Sequence, residues 1–237
     1  MPKRFVFRMT YVGDLPLFLA DGELRAKNSQ PPQDCHQTSH AGIVSRRGGV
    51  EMAMPCGGVV NDYVPFYFSP ITAMSFSIHR GNVGLRDPQG NLLRQATMDD
   101  RVFFVSDVER FRNSGLTYFF SDIACNAVAP QPRYDNDLGR IEDHVDWSLF
   151  DDGSTVATIP EIGYEGVTQW FHDRDSPPRH QNRSRKRMAE FLVRDRMPLA
   201  FVDCIVTKSN QIRDVVAAAM NGSAWDIPVL VKPGCYH

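Results

Sequence analysis

The sequence predicts a mixed α+β domain, and three observations carry that reading. Short runs rich in aromatic and β-branched residues recur along the 237 residues, stretches patterned for a helix are few, and no internal repeat or linker divides the chain. A chain of this length buries roughly 70–75% of its unfolded surface, enough for one substantial core.

The elements follow in order. Arg4-Phe-Val-Phe-Arg-Met-Thr10 alternates polar with apolar residues, the period of a half-buried strand. In the stretch from Asp14 to Gly22, Asp14 can cap a short helix, Pro16 suits its first turn and Gly22 supplies the stop. Residues 27–62 are rich in Gln, Pro, His, Ser and Gly and show little period, which reads as a functional loop or a mobile one. Asp62-Tyr-Val-Pro-Phe-Tyr-Phe-Ser-Pro70 reads as a strand bounded by Gly57-Gly58 and Pro70, with Pro65 placing it at an edge or a bulge. Its alternation puts Tyr63 and Tyr67 on one face and Val64, Phe66 and Phe68 on the other. Further strand-like runs lie at 101–105, 116–120, 188–193, 201–206 and 228–232. Helices are expected at about 135–150 and about 209–221, the second stopped by Gly222, while 151–187 has no clear pattern.

Charge looks unremarkable until it is divided. The chain carries 26 Lys+Arg against 28 Asp+Glu, a net charge of -2, which argues against a surface that binds nucleic acid throughout. From Arg174 to Arg187, however, six Lys/Arg face one Asp, leaving 20 basic and 27 acidic residues elsewhere. A basic cluster of about +5 thus sits on an acidic body of about -7. Cys35, Cys56, Cys125, Cys204 and Cys235 are scattered and read as reduced thiols. No run approaches a membrane-spanning length and the N-terminal stretch lacks the marks of a signal peptide, so a cytoplasmic location and no membrane partner are expected.

No metal motif, P-loop, GxGxxG, GxSxG or recognisable Cys/His pair is present. What stands out is Glu190, a single carboxylate inside an apolar strand-like run directly after the basic cluster. Taken singly, each signal has an ordinary explanation. A lone Glu in a strand is most often solvated, Tyr63 and Tyr67 are ordinary aromatics, an Arg run is usually a solvated loop, and Arg47 is a surface residue by default.

Their combination resembles a known family. Gly57-Gly-Val-Val-Asn-Asp-Tyr-Val-Pro-Phe-Tyr-Phe-Ser-Pro70, Arg185-Lys-Arg-Met-Ala-Glu-Phe-Leu-Val193 and Val231-Lys-Pro-Gly-Cys-Tyr-His237 look like the DarT family of DNA ADP-ribosyltransferase toxins. Arg8-Met-Thr-Tyr-Val-Gly-Asp-Leu15 resembles that family's first strand and turn, and the matches run in family order across essentially the whole chain. The resemblance implies a single ADP-ribosyltransferase (ART) domain over 1–237, with a split central pair of β-sheets gripping NAD as co-substrate and no metal. It places an NAD-proximal loop at 27–50 and a substrate-facing loop at 151–189.

Carried over residue by residue, the family's catalytic glutamate falls on Glu190 and its catalytic arginine on Arg47, with Arg46 adjacent. Arg8 stands at the first-strand NAD contact, where several members carry His, and Thr10 lies beside it. Tyr67 and Phe68 are similar to the pair that opens the nicotinamide pocket of related polymerases, with Met74 or Phe76 completing the stacking. The family's usual Arg-Ser-Pro-Met-Leu-Tyr is replaced here by Ile71-Thr-Ala-Met-Ser-Phe76, so the target base stays open between thymine and guanine. Arg179, Arg183, Arg185, Lys186 and Arg187 are the expected DNA contacts, and Trp170, Phe171 and His172 offer stacking faces. The implied function is transfer of ADP-ribose to a base in single-stranded DNA, as a toxin opposed by a cognate macrodomain-type antitoxin. The alternatives are a transferase of the same fold acting on RNA or protein, and a catalytically silent nucleic-acid-binding module.

Overall fold

The computed structural model describes residues 2–39, 41–49, 53–172 and 182–237. In chain order its elements are β1 (Phe5–Tyr11), α1 (Leu15–Asp21), β2 (Glu23–Arg25), α2 (Ala41–Arg47), β3 (Tyr63–Tyr67), α3 (Ala73–His79), β4 (Gly84–Arg86), β5 (Leu92–Gln95), β6 (Arg101–Asp107) and β7 (Tyr118–Ser121). The second half adds β8 (Tyr134–Asp135), α4 (Ile141–His144), β9 (Thr155–Val156), β10 (Val167–Thr168), α5 (Arg183–Lys186), β11 (Glu190–Arg194), β12 (Arg196–Pro198), β13 (Cys204–Thr207), α6 (Asn210–Met220) and β14 (Val229–Val231). The mixed α+β expectation holds.

The main sheet runs β14-β13-β6-β1-β3-β11-β7-β8 and behaves as two halves. β1 pairs with β6 along its whole length, from Phe5 opposite Asp107 to Tyr11 opposite Arg101. β3 pairs with β11 from Tyr67 opposite Glu190 to Tyr63 opposite Arg194. Between the halves, β1 and β3 meet at a single position, Phe7 opposite Tyr67. The reason is local. Pro65 has no N–H to offer the ladder, and its carbonyl accepts a hydrogen bond from the Arg8 guanidinium (3.2 Å) instead of from a strand. The two halves that the resemblance implies as separate sheets thus remain one eight-stranded sheet held together at a single position, and β3 is an interior strand rather than an edge, with Pro65 where its ladder to β1 lapses.

The alternation of β1 and β3 divides the core as expected. Phe7 packs on Phe103 and Tyr164, while Phe104 meets Phe18 of α1. Val64, Phe66 and Phe68 enter the main core, whereas Tyr63 joins a smaller cluster with Met54, Val60, Phe119, Cys125 and Leu192.

Several boundaries differ from expectation. α1 begins with Pro16 in its first turn and ends on Gly22 at φ +71°, but Asp14 makes no cap; its carboxylate accepts from His36 instead. The helix expected at about 135–150 is broken: Asp135 and Asp137 side chains bond the amides of Asp137 and Gly139, and Val145 is extended, leaving only the four-residue α4. α6 matches, with Ser209 accepting from the Ile212 amide at its start. The 27–62 stretch contains α2, and 151–187 contains β9, β10 and α5. Among the described residues no helix is long and apolar enough to cross a membrane.

Candidate active site

Where β1 and β3 part, a cavity of about 410 Å³ opens, within the roughly 300–1,000 Å³ of small-molecule sites. Arg8 and Thr10 from β1, Arg47 from α2, Tyr67 from β3 and Met74 from α3 all face it. The 27–50 stretch supplies much of the opposite wall, including Lys27, Cys35 and His36. Thr10 Oγ1 is buried without a hydrogen-bond partner among the described residues, a hydroxyl on the cavity wall with its bonding capacity unspent. Two guanidiniums and an unpartnered hydroxyl around one cavity fit a diphosphate dinucleotide such as NAD.

Phe76 does not line this cavity, contrary to expectation. Thr72 caps a helix through the Ser75 amide, so residues 73–79 coil instead of extending. Met74 and Phe76 would share a face of a strand, but two residues along a helix they lie on nearly opposite sides. Phe76 packs against Phe171, His172 and His237, at ring distances of 5.3, 5.5 and 5.5 Å.

Glu190 opens β11 and is 1% exposed. Arg47 clamps its carboxylate, Nη1 donating to Oε1 (3.0 Å) and Nη2 to Oε2 (2.7 Å). The Cys125 amide gives Oε1 a second bond at 3.0 Å. Glu190 itself is not part of the cavity wall, because Arg47, whose side chain is 12% exposed, stands between. The neighbouring Arg46 is exposed and donates to the Asn126 carbonyl instead.

The electrostatics follow from this pair. Burial alone would lower the Arg47 pKa, but the Glu190 charge and hydrogen bonds raise it overall. Burial, with the nearby Glu190 carboxylate, raises Tyr67 and Cys125. Burial and the positive Arg47 lower Arg8. Cys35, pushed up to about 12 by burial and then by Asp14, stays a thiol at neutral pH.

The basic cluster requires correction. Arg183 is 0% and Arg187 1% exposed. Arg183 bonds the Leu149 carbonyl and pairs with Asp152; Arg187 donates to the carbonyls of Leu149, Thr168, Trp170 and Ile71 and to Ser69 Oγ. Both guanidiniums satisfy buried loop carbonyls, so neither faces a DNA strand. Arg185 is exposed and donates to the Ala129 carbonyl, while Lys186 pairs with Asp146 at 2.7 Å. Arg179 lies outside the described residues. Of the expected stacking faces, Phe171 is buried, and Trp170 and His172 are half-buried.

Four site residues carry no signal in the sequence. Ser121 and Cys125 bond Glu190 from 69 and 65 positions away. Asp14 and His36 join across the cavity wall, Oδ1 to Nδ1 at 2.6 Å, and His36 leans edge-on against Tyr11.

A sheet whose halves meet at one residue pair, with a ligand-sized cleft there and a paired arginine and glutamate at its edge, fits the ADP-ribosyltransferase class that the resemblance implies, enzymes that draw ADP-ribose from NAD. The chain belongs to the DarT family: the model described as "ssDNA thymidine ADP-ribosyltransferase, DarT" matches residues 7–237. It is 26% identical over 211 residues to a DNA ADP-ribosyl transferase of Thermus sp. (strain 2.9), covering 89% of this chain and 84% of that one. It is 21% identical over 211 residues to a DNA ADP-ribosyl transferase of Escherichia coli O127:H6, covering 89% and 83%. Among solved structures, Thermus sp. 2.9 DarT in complex with ADP-ribosylated ssDNA superposes with a TM-score of 0.77 at 23% identity, covering 99% of this chain and 96% of that one. Thermosipho africanus DarTG in complex with ADP-ribose gives 0.66 at 14% identity, over 98% of this chain and 51% of that one.

Proposed function

We propose that this protein attaches ADP-ribose from NAD to thymine in single-stranded DNA, with Glu190 and Arg47 carrying the chemistry. The observation that carries the reading is the bidentate Arg47–Glu190 pair at the edge of the cleft, in a chain matched by the DarT model from residue 7 to 237. The thymidine in that model's description favours thymine over guanine. The Thermus relative, of the same fold, is described in complexes with NAD+ and with ADP-ribosylated ssDNA, which supports the same pair of substrates here.

NAD supplies an ADP-ribosyl group whose bond to nicotinamide breaks with positive charge developing on the ribose. A carboxylate directed at that sugar stabilises the transition state more than the ground state. Glu190 takes this role, and Oε2 also accepts the proton that the base nitrogen gives up on attack. Arg8 and Arg47 hold the diphosphate, each fork matching phosphate oxygens. As Arg47 turns to phosphate it uncovers Glu190, so binding and exposure of the carboxylate are one event. Thr10 Oγ1 gains a partner in the same step.

A base must leave its stack for a ring nitrogen to react, which accounts for a single-stranded substrate. Arg185 and Lys186 attract the phosphates of that strand. The activity is that of a cytoplasmic toxin restrained by a cognate macrodomain-type antitoxin, a reading supported by the likeness to Thermosipho DarTG. The test is mass spectrometry of oligonucleotides after incubation with NAD. Thymine-containing single strands gain one ADP-ribose; label appearing only on RNA, duplex DNA or protein overturns the substrate, and label on guanine overturns the base.

A further inference from the structure

We propose that Ser121 is a positioning residue for the reaction, acting through the turn that follows it to decide which oxygen of Glu190 meets the substrate. This rests on the assignment of Glu190 as the catalytic carboxylate.

β7 pairs with β11 from Tyr118 opposite Val193 to Phe120 opposite Phe191. The next step of the ladder would join Ser121 to Glu190 through their backbones. The Ser121 side chain replaces it: the Glu190 amide donates to Ser121 Oγ at 2.9 Å, and Oγ donates to the Ile123 carbonyl at 2.7 Å. That second bond folds the chain back. It brings the Cys125 amide to 3.0 Å from Glu190 Oε1. One hydroxyl thus fixes the glutamate at both ends, its backbone directly and its carboxylate through the turn. Ser121 and Cys125 are fully buried, so no water replaces these bonds.

The two carboxylate oxygens are consequently unequal. Among the described residues, Oε1 is held by Cys125 and Arg47, and Oε2 by Arg47 alone. When the guanidinium leaves for phosphate, Oε1 stays anchored to the turn and Oε2 is the oxygen set free. The turn supplies an orientation that the side-chain torsions of a glutamate would not hold unaided, and a misplacement of about 1 Å at a reacting group costs about 100-fold in rate.

The experiment compares steady-state kinetics of Ser121→Ala, Ser121→Thr and Glu190→Gln with NAD and a thymine-containing single strand, and measures NAD binding by calorimetry. For Ser121→Ala, kcat falls about 10–100-fold while KM for both substrates and the NAD Kd stay within about twofold. Ser121→Thr, which keeps the hydroxyl, recovers most of kcat. An unchanged kcat in Ser121→Ala with an inactive Glu190→Gln overturns the positioning role and leaves the catalytic assignment standing. A parallel loss of kcat and NAD binding that Ser121→Thr does not rescue also overturns it, as the mark of a merely structural residue. Full activity in Glu190→Gln removes both.

Discussion

Glu190 and Arg47 lie 143 positions apart in the chain and neutralise each other in the fold. Neither is replaceable without exposing the other's charge to a buried site. Glu190→Gln keeps the shape and one acceptor for Cys125 but loses the negative charge, and transfer to DNA falls about 100–1,000-fold in a discontinuous assay of labelled oligonucleotide. Arg47→Lys retains charge without the fork; KM for NAD rises and kcat falls in the same assay. The glutamate's strand was legible from its apolar neighbours, yet strand statistics place such a residue in solvent. Its burial is the work of an ion pair and an amide donated from distant segments, which no local pattern records. Arg47 was found by resemblance alone, since an arginine in an irregular loop carries no periodic signal.

At the scale of elements, the run 183–187 divides into two jobs. Arg187 satisfies four carbonyls and a hydroxyl between three segments of the chain. Burial lowers its pKa to about 10, still far above neutrality, so the guanidinium stays charged. Arg187→Ala leaves those acceptors unpaired and lowers stability by about 3–5 kcal/mol in urea unfolding. Arg185→Glu with Lys186→Glu weakens DNA use more than NAD binding. The sequence displayed the charge but not its direction, because α5 is a single turn that alternately buries and exposes its arginines. α3 gives the same lesson: the cap that Thr72 makes with Ser75 sets a helix over 73–79, which puts Met74 on the cavity and turns Phe76 away from it. The cluster around Phe76 carries a pH signature. His237 is lowered from 6.5 to about 4, first by burial and further by His79 and His172. The unfolded chain therefore takes this proton before the folded one does. The contribution is fully present above pH 6.5 and is lost as pH falls towards about 4. His237→Gln flattens that part of the urea-midpoint curve; an unaltered curve contradicts the assignment.

At the scale of the whole molecule, the near-neutral charge and the lapse in the sheet belong to the same account. The α+β class was legible because period-two runs survive as strands, and five of the strand-like runs beyond β3 appear near their expected places. The lapse was not legible from period alone. It arises where Pro65 and Arg8 interrupt one ladder, a relation between strands separated by 57 positions. With Arg183 and Arg187 withdrawn into the core, DNA attraction rests on fewer surface cations than the six in 174–187. Each single-strand phosphate neutralised contributes a slope of about -0.7 to the plot of log affinity against log salt. The double variant Arg185→Glu, Lys186→Glu accordingly shows a shallower salt slope than the unaltered protein.

Movement of ADP-ribose from NAD to a base in this cleft depends on Glu190. It is tested most directly by incubating the purified protein and its Glu190→Gln variant with NAD and a thymine-containing single-stranded oligonucleotide and weighing the product. The oligonucleotide gains one ADP-ribose on thymine with the unaltered protein and essentially none with the variant. An unmodified oligonucleotide, or equal modification by both proteins, would contradict it.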